Sequence, residues 1–283
     1  MFWQTSRFAI DLAQPQVMGI VNVTPDSFSD GGQHASAAAA LRHCEQLVRD
    51  GAHILDIGGE STRPGSPAVP LDEELARVVP VVQGAVSLGV PVSVDTYKPQ
   101  VMQAVLDLGA DIVNDVWALR QPGAAAVVAA HPLCGVCLMH MHRDPQTMQV
   151  APMAGDVVPQ VLTFLLQAAQ ALQTLGVARE RMALDPGIGF GKTVAQNFAL
   201  LARQQELVAT GYAVLAGWSR KSSLGAVTGL AVAGERMVPS VAAALLAVVN
   251  GARIVRVHDV ADTVAALAVW QAMQAMERQQ QPP

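Results

Sequence analysis

Eight short apolar runs alternate with longer stretches of helical composition along this chain, and the alternation constrains the fold more than any other feature. Strand and helix in strict succession build a parallel sheet, and eight such units are the number that closes into a barrel. We therefore predict an α/β protein built as a single (β/α)₈ TIM barrel. The predicted strands are Val17–Val21, His53–Ile57, Val92–Val94, Ile112–Val113, Gly135–Met139, Met182–Leu184, Ala213–Ala216 and Ile254–Val257.

The stretches between these strands predict helices, and several end at a glycine. A glycine directly after a helix commonly adopts the left-handed conformation that terminates it. Glycines stand in that position at Gly51, Gly109, Gly176 and Gly251. After the fourth strand, Pro122-Gly123 leaves room for only a short apolar piece through Ala130. The other predicted helices are Ala35–Asp50, Asp72–Leu88, Pro99–Leu108, Val157–Leu175, Ala195–Ala209 and Pro239–Asn250.

Composition narrows the class of protein further. Hydrophobic residues make up 51% of the 283 residues and charged residues 14%, so the chain can bury a large core. Its 18 basic and 23 acidic residues give a net charge of -5, which disfavours nucleic-acid binding. The longest apolar runs, such as Val241–Val249, are far below the ~20 residues that span a membrane. We expect a single domain over 1–283, with its core at about 15–278 and a disordered tail at 279–283.

The compartment is predicted from two features. The N-terminal residues MFWQTSRFAI lack a basic region followed by an apolar stretch and a cleavage site, so no secretory signal is visible. The chain has 3 cysteines, which do not make a disulfide framework in a protein of this length. We therefore expect a cytoplasmic protein.

A polar residue ends or closely follows each of the eight apolar runs. In a barrel, all eight positions meet at the C-terminal rim, where such folds place their chemistry. Helix capping explains any single Asp or Asn about equally well. Eight together indicate a ligand-binding mouth, because polar groups held partly dry are costly without a ligand. The residues are Asn22, Asp56, Asp95, Asn114, His140, Asp185, Ser219 to Lys221, and Arg256 with His258.

The cations and the carboxylates predict two halves of the ligand. The cationic residues follow the seventh and eighth runs, where barrels frequently bind phosphate, so we predict an anionic substrate group there. Asp95 and Asp185 can accept hydrogen bonds from a ring N–H and an exocyclic amine, while Asn114 both donates and accepts. That pattern favours an amino-oxo heterocycle over a sugar. The cationic residues are Arg220, Lys221, Arg256 and His258.

Two glycine-rich loops follow the first two runs, and two other motifs are rejected. The loops, NVTPDSFSDGG from Asn22 and GGESTRPG from Gly58, are predicted to close over a ligand as mobile lids.

The segment GIGFGKT from Gly187 resembles a phosphate loop, but it lacks the required spacing between glycines, so ATP is not implied. Cys134 and Cys137 lie three apart on a strand and point to opposite faces, so we predict buried thiols rather than a zinc site. We predict no catalytic metal at His140 and His142.

These segments together resemble the dihydropteroate synthases of bacterial folate biosynthesis, which belong to the pterin-binding enzymes. The resemblance runs in unbroken order from Val17 to Val260, and the motifs NVTPDSFSDGG, GGESTRPG, DPGIGFGKT and GWSRKS are specific to it. It implies a transferase that condenses 6-hydroxymethyl-7,8-dihydropterin diphosphate with 4-aminobenzoate to give 7,8-dihydropteroate and diphosphate. It also implies dissociative substitution, competition by sulfonamides, and the cofactor Mg²⁺.

The resemblance implies a role for each site residue. Catalysis is assigned to Asp95, Lys221 and Arg256. The pterin contacts are Asp56, Asp95, Asn114, Met139, Asp185, Lys221 and Arg256. The diphosphate contacts are Asn22, Arg63, Arg256 and His258. The aminobenzoate contacts are Thr62, Pro64, Phe190, Lys221 and Ser222. The metal contacts are Asn22 and Asp30.

Two alternative functions remain open, and so does the oligomeric state that the resemblance implies. A pterin-binding methyltransferase module shares a barrel and an acid–amide pocket, but it passes a methyl group to a cobalt partner and has no use for the diphosphate-facing cations. A non-catalytic relative would keep the pocket without turnover. Relatives of this kind are commonly homodimers, and Val238–Val249 with Val260–Met276 could supply the contact or could instead cover the barrel.

Overall fold

A closed barrel of eight parallel strands forms the centre of the molecule. The structure, a computed structural model, describes residues 1–23, 32–62, 65–144, 147, 148 and 150–280. A short hairpin of β1 (Phe2–Gln4) and β2 (Ala9–Asp11) precedes the barrel. The barrel strands are β3 (Gln16–Asn22), β4 (Ile54–Gly58), β5 (Val92–Asp95), β6 (Ile112–Asp115), β7 (Gly135–Met139), β8 (Met182–Asp185), β9 (Ala213–Ala216) and β10 (Ile254–Val257).

The barrel confirms the predicted fold class, and each of its strands coincides with one of the eight apolar runs. Sequential strands pair in parallel from β3 to β10, and β10 closes the ring on β3 with Ile254 opposite Gln16. The carboxyl ends of all eight strands therefore lie at one rim. Any polar residue that ends a strand is delivered there by the topology itself.

Ten helices are found in the described part of the chain, and most surround the barrel. Gly51, Gly109, Gly176 and Gly251 have φ from 87° to 96°, which confirms the predicted left-handed helix ends. The helices are α1 (Gly32–Arg49), α2 (Leu71–Ala85), α3 (Pro99–Asp107), α4 (Ala124–Ala130), α5 (Val157–Thr174), α6 (Val194–Ala202), α7 (Gln205–Val208), α8 (Ser222–Thr228), α9 (Met237–Val249) and α10 (Val260–Gln280).

One predicted helix is wrong in its extent. We predicted a continuous helix over Ala195–Ala209, whereas the structure has two, α6 and α7, separated at Arg203 and Gln204. The break has a packing reason. The side-chain amide of Gln204 is buried and donates to the carbonyl oxygens of Ala247, at 2.8 Å, and Asn250, at 3.1 Å. The hydrogen bonds from Gln204 to the carboxyl end of α9 therefore determine where the helix is interrupted. The pattern of apolar residues within the segment gives no indication of these hydrogen bonds.

The N-terminal hairpin, for which we predicted no element, closes the end of the barrel opposite the rim. Trp3 is fully buried, and its indole Nε1 donates to the carbonyl oxygen of Arg181 at 2.9 Å. Its ring belongs to the same buried cluster as the inward-facing Met18 and Ile112. The core therefore begins before residue 15. Strands of three residues are too short to show a period of two, which is why the pattern did not reveal them.

None of the described helices combines the length and the apolarity that crossing a membrane requires.

Candidate active site

The alternation of side chains along each strand builds a polar layer above an apolar one inside the barrel. Ile54, Ile112, Cys137, Ala183 and Ile254 all face inward and form one buried apolar cluster. Because successive residues on a strand point to opposite faces, the residue two positions further along also faces inward, one layer nearer the rim. Those next residues are Asp56, Asn114, Met139, Asp185 and Arg256.

An arginine and two carboxylates form the centre of this layer. The guanidinium of Arg256 donates through Nε to Asp56 Oδ2 at 2.5 Å and through Nη2 to Asp95 Oδ2 at 2.9 Å. Asp56 also accepts from Ser93 Oγ, at 2.6 Å, and from Asn114 Nδ2, at 3.2 Å. These five side chains come from β4, β5, β6 and β10, so the closure of the barrel brings them together.

The two carboxylates of this cluster have different surroundings. Asp56 is fully buried, and both of its oxygens are occupied by Ser93, Asn114 and Arg256. Asp95 is partly buried and accepts a hydrogen bond only from Arg256 among the described residues. Burial raises the pKa of Asp95 to about 7, although the charge of Arg256 opposes that rise. Asp95 can therefore accept from a ligand, while Asp56 holds Arg256 and Asn114 in position.

Asp185 and Lys221 interact electrostatically on the next part of the rim. Asp185 is buried and accepts a hydrogen bond from the backbone N–H of Gly187 at 2.7 Å. Burial raises the pKa of its carboxyl, and this hydrogen bond and the charge of Lys221 act against the rise. The ammonium of Lys221 lies 4.2 Å from the ring centroid of the buried Phe190, a cation–π contact. The acidic, cationic and aromatic groups thus meet in one mouth.

The residues predicted for the diphosphate are only partly described. Asn22 ends β3 and is partly buried, and His258 Nδ1 lies 2.9 Å from Ser219 Oγ, which orients its ring. Arg63 and Asp30 lie outside the described residues. The grouping of Arg220 with the other cations needs correction, because its guanidinium is paired with Asp259 at 2.6 Å and is not directed at a ligand.

Of the residues predicted for the aminobenzoate, Phe190 lies directly against Lys221. Phe190 is buried, Thr62 is partly buried, and Ser222 is exposed at the start of α8. Pro64 lies outside the described residues. Met139 is buried in a cluster with Phe190 and other apolar residues at the rim.

The base of the second glycine-rich loop is held by a network that we did not predict. The ammonium of Lys98 bridges the carboxylates of Glu60 and Glu74. Tyr97 donates its hydroxyl proton to Glu60 at 2.9 Å, and Thr96 donates to Glu74 at 2.7 Å. Glu60 immediately precedes the segment that carries Thr62. Glu74 and Lys98 are on α2 and before α3, so only the fold reveals that they belong together.

The prediction that Cys134 and Cys137 are buried thiols is confirmed. Cys134 belongs to the cluster between the barrel and the outer helices, whereas Cys137 belongs to the barrel interior. Both are free and fully buried. His140 is also buried, and its Nδ1 lies 2.9 Å from the ammonium of Lys192. Among the described residues, no group of three or more His, Cys, Asp or Glu side chains is arranged to hold a metal ion.

Comparison with known proteins defines the class first. The family model described as Pterin binding enzyme matches residues 18–258. The dihydropteroate synthase of Neisseria meningitidis serogroup B is 50% identical over 276 residues, which are 96% of this chain and 97% of that protein. The chain belongs to the dihydropteroate synthase family of pterin-binding enzymes. This membership confirms the resemblance drawn from the motifs.

Solved structures of the family agree with this chain in fold. The Burkholderia cenocepacia dihydropteroate synthase, complexed with 7,8-dihydropteroate, is 53% identical with a TM-score of 0.91, covering 99% of this chain and 98% of that one. The Xanthomonas albilineans dihydropteroate synthase with 4-aminobenzoic acid is 50% identical with a TM-score of 0.92, covering 97% of this chain and 99% of that one.

Proposed function

We propose that this chain condenses 6-hydroxymethyl-7,8-dihydropterin diphosphate with 4-aminobenzoate, giving 7,8-dihydropteroate and diphosphate. The observation that carries the proposal is the single mouth in which Asp95, Asn114 and Asp185 stand together with Arg256 and Lys221. An acid–amide group suits the donors and acceptors of a pterin ring. The neighbouring cations suit an anionic leaving group.

The pterin ring is assigned to the inner part of the mouth. Asp185 accepts from the amino and ring N–H groups, and Asn114, held by Asp56 at 3.2 Å, presents its amide oxygen. Met139 supplies an apolar surface beside them. Lys221 meets the ring carbonyl and nitrogen. A ring seated in this way exposes its methylene carbon toward the rim, where the second substrate enters.

The reaction forms one bond and breaks one. The lone pair of the aromatic amine forms the new C–N bond at the methylene carbon, and the C–O bond breaks with its electron pair leaving on diphosphate. The amine then releases a proton to solvent. As the C–O bond lengthens, positive charge develops on the methylene and the electron-rich pterin, where the carboxylate of Asp95 stabilises it electrostatically. Arg256 and His258 stand on the side of the departing negative charge.

The residues at the diphosphate side fit a magnesium ion. Asn22 ends β3 at this rim, and its amide oxygen is a suitable ligand because Mg²⁺ prefers oxygen ligands with few protein contacts beside substrate phosphates. Asn22, with Asp30 of the first loop, would hold it. When bound, Mg²⁺ neutralises charge on the leaving diphosphate.

The aminobenzoate is assigned to the outer part of the mouth. Phe190 offers its ring as a packing surface for the aromatic ring of 4-aminobenzoate. The ammonium of Lys221, 4.2 Å from the centroid of the Phe190 ring, attracts the carboxylate of that substrate. Thr62 and Ser222 border the same region, and Arg63 and Pro64 of the second loop complete the assignment made from the sequence. A sulfonamide that mimics 4-aminobenzoate is expected to compete here.

The decisive experiment is direct product detection. Purified protein is incubated with the pterin diphosphate, 4-aminobenzoate and Mg²⁺, and dihydropteroate is sought by mass. A titration with inorganic pyrophosphate, with and without pterin, separates the synthase from a methyltransferase module, which has no site for that anion. Pyrophosphate binding without product formation would instead indicate a non-catalytic relative.

Replacing Asp185 by asparagine tests the pterin assignment. We expect pterin affinity to fall about 10- to 100-fold, since a hydrogen bond to a charged group contributes about 1.5–3 kcal/mol. The amide oxygen can still accept from Gly187, but the amide nitrogen then meets the pterin donors. Calorimetric titration with the pterin measures the effect. Asp107→Asn, on the exposed face of α3, is the matched control, and equal affinities in the two variants would remove Asp185 from the pterin site.

The assembly is proposed to be a cytoplasmic homodimer formed through α9 and α10. Both helices expose large apolar side chains, with Val238 68% exposed and Val269 73% exposed. Exposed apolar patches of this kind mark interfaces. Leu246→Glu should weaken dimerisation at least about tenfold by sedimentation, because it places a charge in the apolar contact. Leu175→Glu at the end of α5 is the control, and a wild-type monomer at micromolar concentration would exclude the dimer.

A further inference from the structure

Lys192 is a buried cation that the function described above does not use. It is 3% exposed, and its ammonium nitrogen lies 2.8 Å from the carbonyl oxygen of Gly187 and 3.1 Å from that of Phe190. The carbonyl oxygen and the Nδ1 of His140 lie at 3.3 and 2.9 Å. Among the described residues, no carboxylate oxygen is paired with it. An ammonium is therefore enclosed by backbone carbonyls and one imidazole.

The acceptors around this lysine favour its charged form. An ammonium has three protons to donate and a neutral amine only two, whereas four acceptor atoms surround this nitrogen. His140 is a suitable acceptor, since burial and the charge of Lys192 lower its pKa to about 2 and keep the ring neutral. Burial lowers the pKa of Lys192 to about 7, and the negative charge of Asp185 opposes that shift.

The carbonyls belong to a loop that only glycines can form. Gly187, Gly189 and Gly191 have φ of 68°, 84° and 73°, in the left-handed region. A Cβ on Gly187 would lie 1.9 Å from the carbonyl oxygen of His140, so the loop lies directly on the end of β7. This folding turns the carbonyls of Gly187 and Phe190 toward the ammonium. The consequence is that the Phe190 side chain faces the mouth, against Lys221.

The middle of this loop and the helix that follows it are anchored independently of Lys192. Thr193 and Gln196 form a reciprocal capping box at the start of α6. Asn197 accepts from the backbone N–H of Gly189 at 2.9 Å and donates to Ser223 at 2.8 Å. Loss of the ammonium would thus leave α6 in place and release mainly the segment that carries Phe190.

We infer that Lys192 is a positioning residue for 4-aminobenzoate: its ammonium gathers the carbonyls of the loop 187–191 and so sets Phe190 against Lys221. The inference rests on the proposed function for the identity of the substrate. It assigns Lys192 no contact with the reacting atoms. Its effect passes through Phe190, the packing surface of the aminobenzoate.

Lys192→Met tests this role, because methionine keeps the length of the side chain and removes the charge. We expect the KM for 4-aminobenzoate to rise about tenfold or more, because a binding group displaced by about 1 Å can cost up to about 100-fold. The KM for the pterin diphosphate should rise by a smaller factor, which reflects the lost charge of Lys192 near Asp185. Arg181→Met is the matched control. Arg181 is also a buried cation among backbone carbonyls, those of Cys134, at 2.8 Å, and Val128, at 2.9 Å, but it precedes β8 at the opposite end of the barrel.

A second measurement is independent of activity. The chain contains three lysines, Lys98, Lys192 and Lys221, so ¹³C-lysine labelling gives a spectrum that is readily assigned by substitution. The ring of Phe190 should shift the Lys221 ε-methylene protons upfield in the wild type. We expect that shift to shrink toward the free-lysine position in Lys192→Met and to persist in Arg181→Met.

The outcomes separate this inference from the proposed function. An upfield Lys221 signal that survives in Lys192→Met, or KM values that rise equally for both substrates, would overturn the positioning role. Equal effects of Lys192→Met and Arg181→Met on the KM for 4-aminobenzoate would reduce Lys192 to a general contributor to stability. An inactive wild-type protein would defeat the proposed function alone, and the lysine spectra would still decide whether Lys192 positions Phe190.

Discussion

Replacing Lys221 with alanine is expected to lower kcat/KM by about 10²- to 10³-fold, which is the cost of removing one preorganised electrostatic group from an active site. The ammonium is proposed to contact the pterin and the aminobenzoate, so both substrates lose an interaction. The melting temperature should change little. Lys221 is partly exposed, and its side chain makes no capping hydrogen bond to α8, so its removal opens no cavity in the core.

The neighbouring cation provides the control for Lys221. Arg220 is paired with Asp259 at 2.6 Å, so Arg220→Gln removes the same charge one position away without touching the mouth. Steady-state kinetics on both variants separate a local role from a general effect of net charge. If Lys221→Ala keeps near-normal turnover, or if Arg220→Gln loses as much, the assignment of Lys221 is wrong.

Replacing Arg256 with methionine should abolish most activity and also destabilise the fold. Arg256 is the cation between Asp56 and Asp95, at 2.5 and 2.9 Å, and its loss leaves two carboxylates close together inside the barrel. Removing one partner of a buried ion pair typically costs about 3–5 kcal/mol of unfolding free energy. Denaturant unfolding measures the loss. A double variant that also carries Asp56→Asn should recover part of the stability without recovering activity.

The destabilisation of Arg256→Met should depend on pH in a defined direction. The pKa of Asp95 is already raised from 3.8 to about 7 by burial, with the charge of Arg256 opposing the rise, so it rises further in the variant. A carboxyl whose pKa is higher in the folded than in the unfolded state loses stability as the pH rises between those two values. The variant's deficit should therefore be smaller at pH 5.5 than at pH 8. A deficit independent of pH would show that the carboxylates are not its cause.

The barrel was predictable because the sequence features that specify it are local. Each apolar run and the glycine after each helix, as at Gly51 and Gly251, act over a few residues and are visible in the sequence. The hairpin of β1 and β2 and the break at Gln204 depend on contacts with distant parts of the chain, such as Trp3 with Arg181. Those contacts leave no periodic trace, so they were missed.

The candidate site was likewise predictable only in part. The topology of a parallel barrel brings the ends of the strands to one rim, so the sequence was enough to place Asp95 and Arg256 together. Which charges pair was not predictable, because a side chain's direction depends on packing. Arg220 turns to Asp259, and Lys192 turns into a ring of carbonyls. In the sequence, Lys192 belongs to the segment GIGFGKT, which resembles a phosphate loop without its spacing. The position of this lysine after three alternating glycines was the one feature of the sequence that pointed to its surroundings.

The hairpin at the base of the barrel has a consequence for the order of events. With Trp3 sealing the interior at one end, ligands can arrive and depart only past the opposite rim. A molecule seated near Asp185 lies beneath one seated near Phe190, so the outer occupant obstructs the inner one. We expect a compulsory sequence in which the heterocycle docks before its partner, and the joined product withdraws as a whole before the next cycle starts.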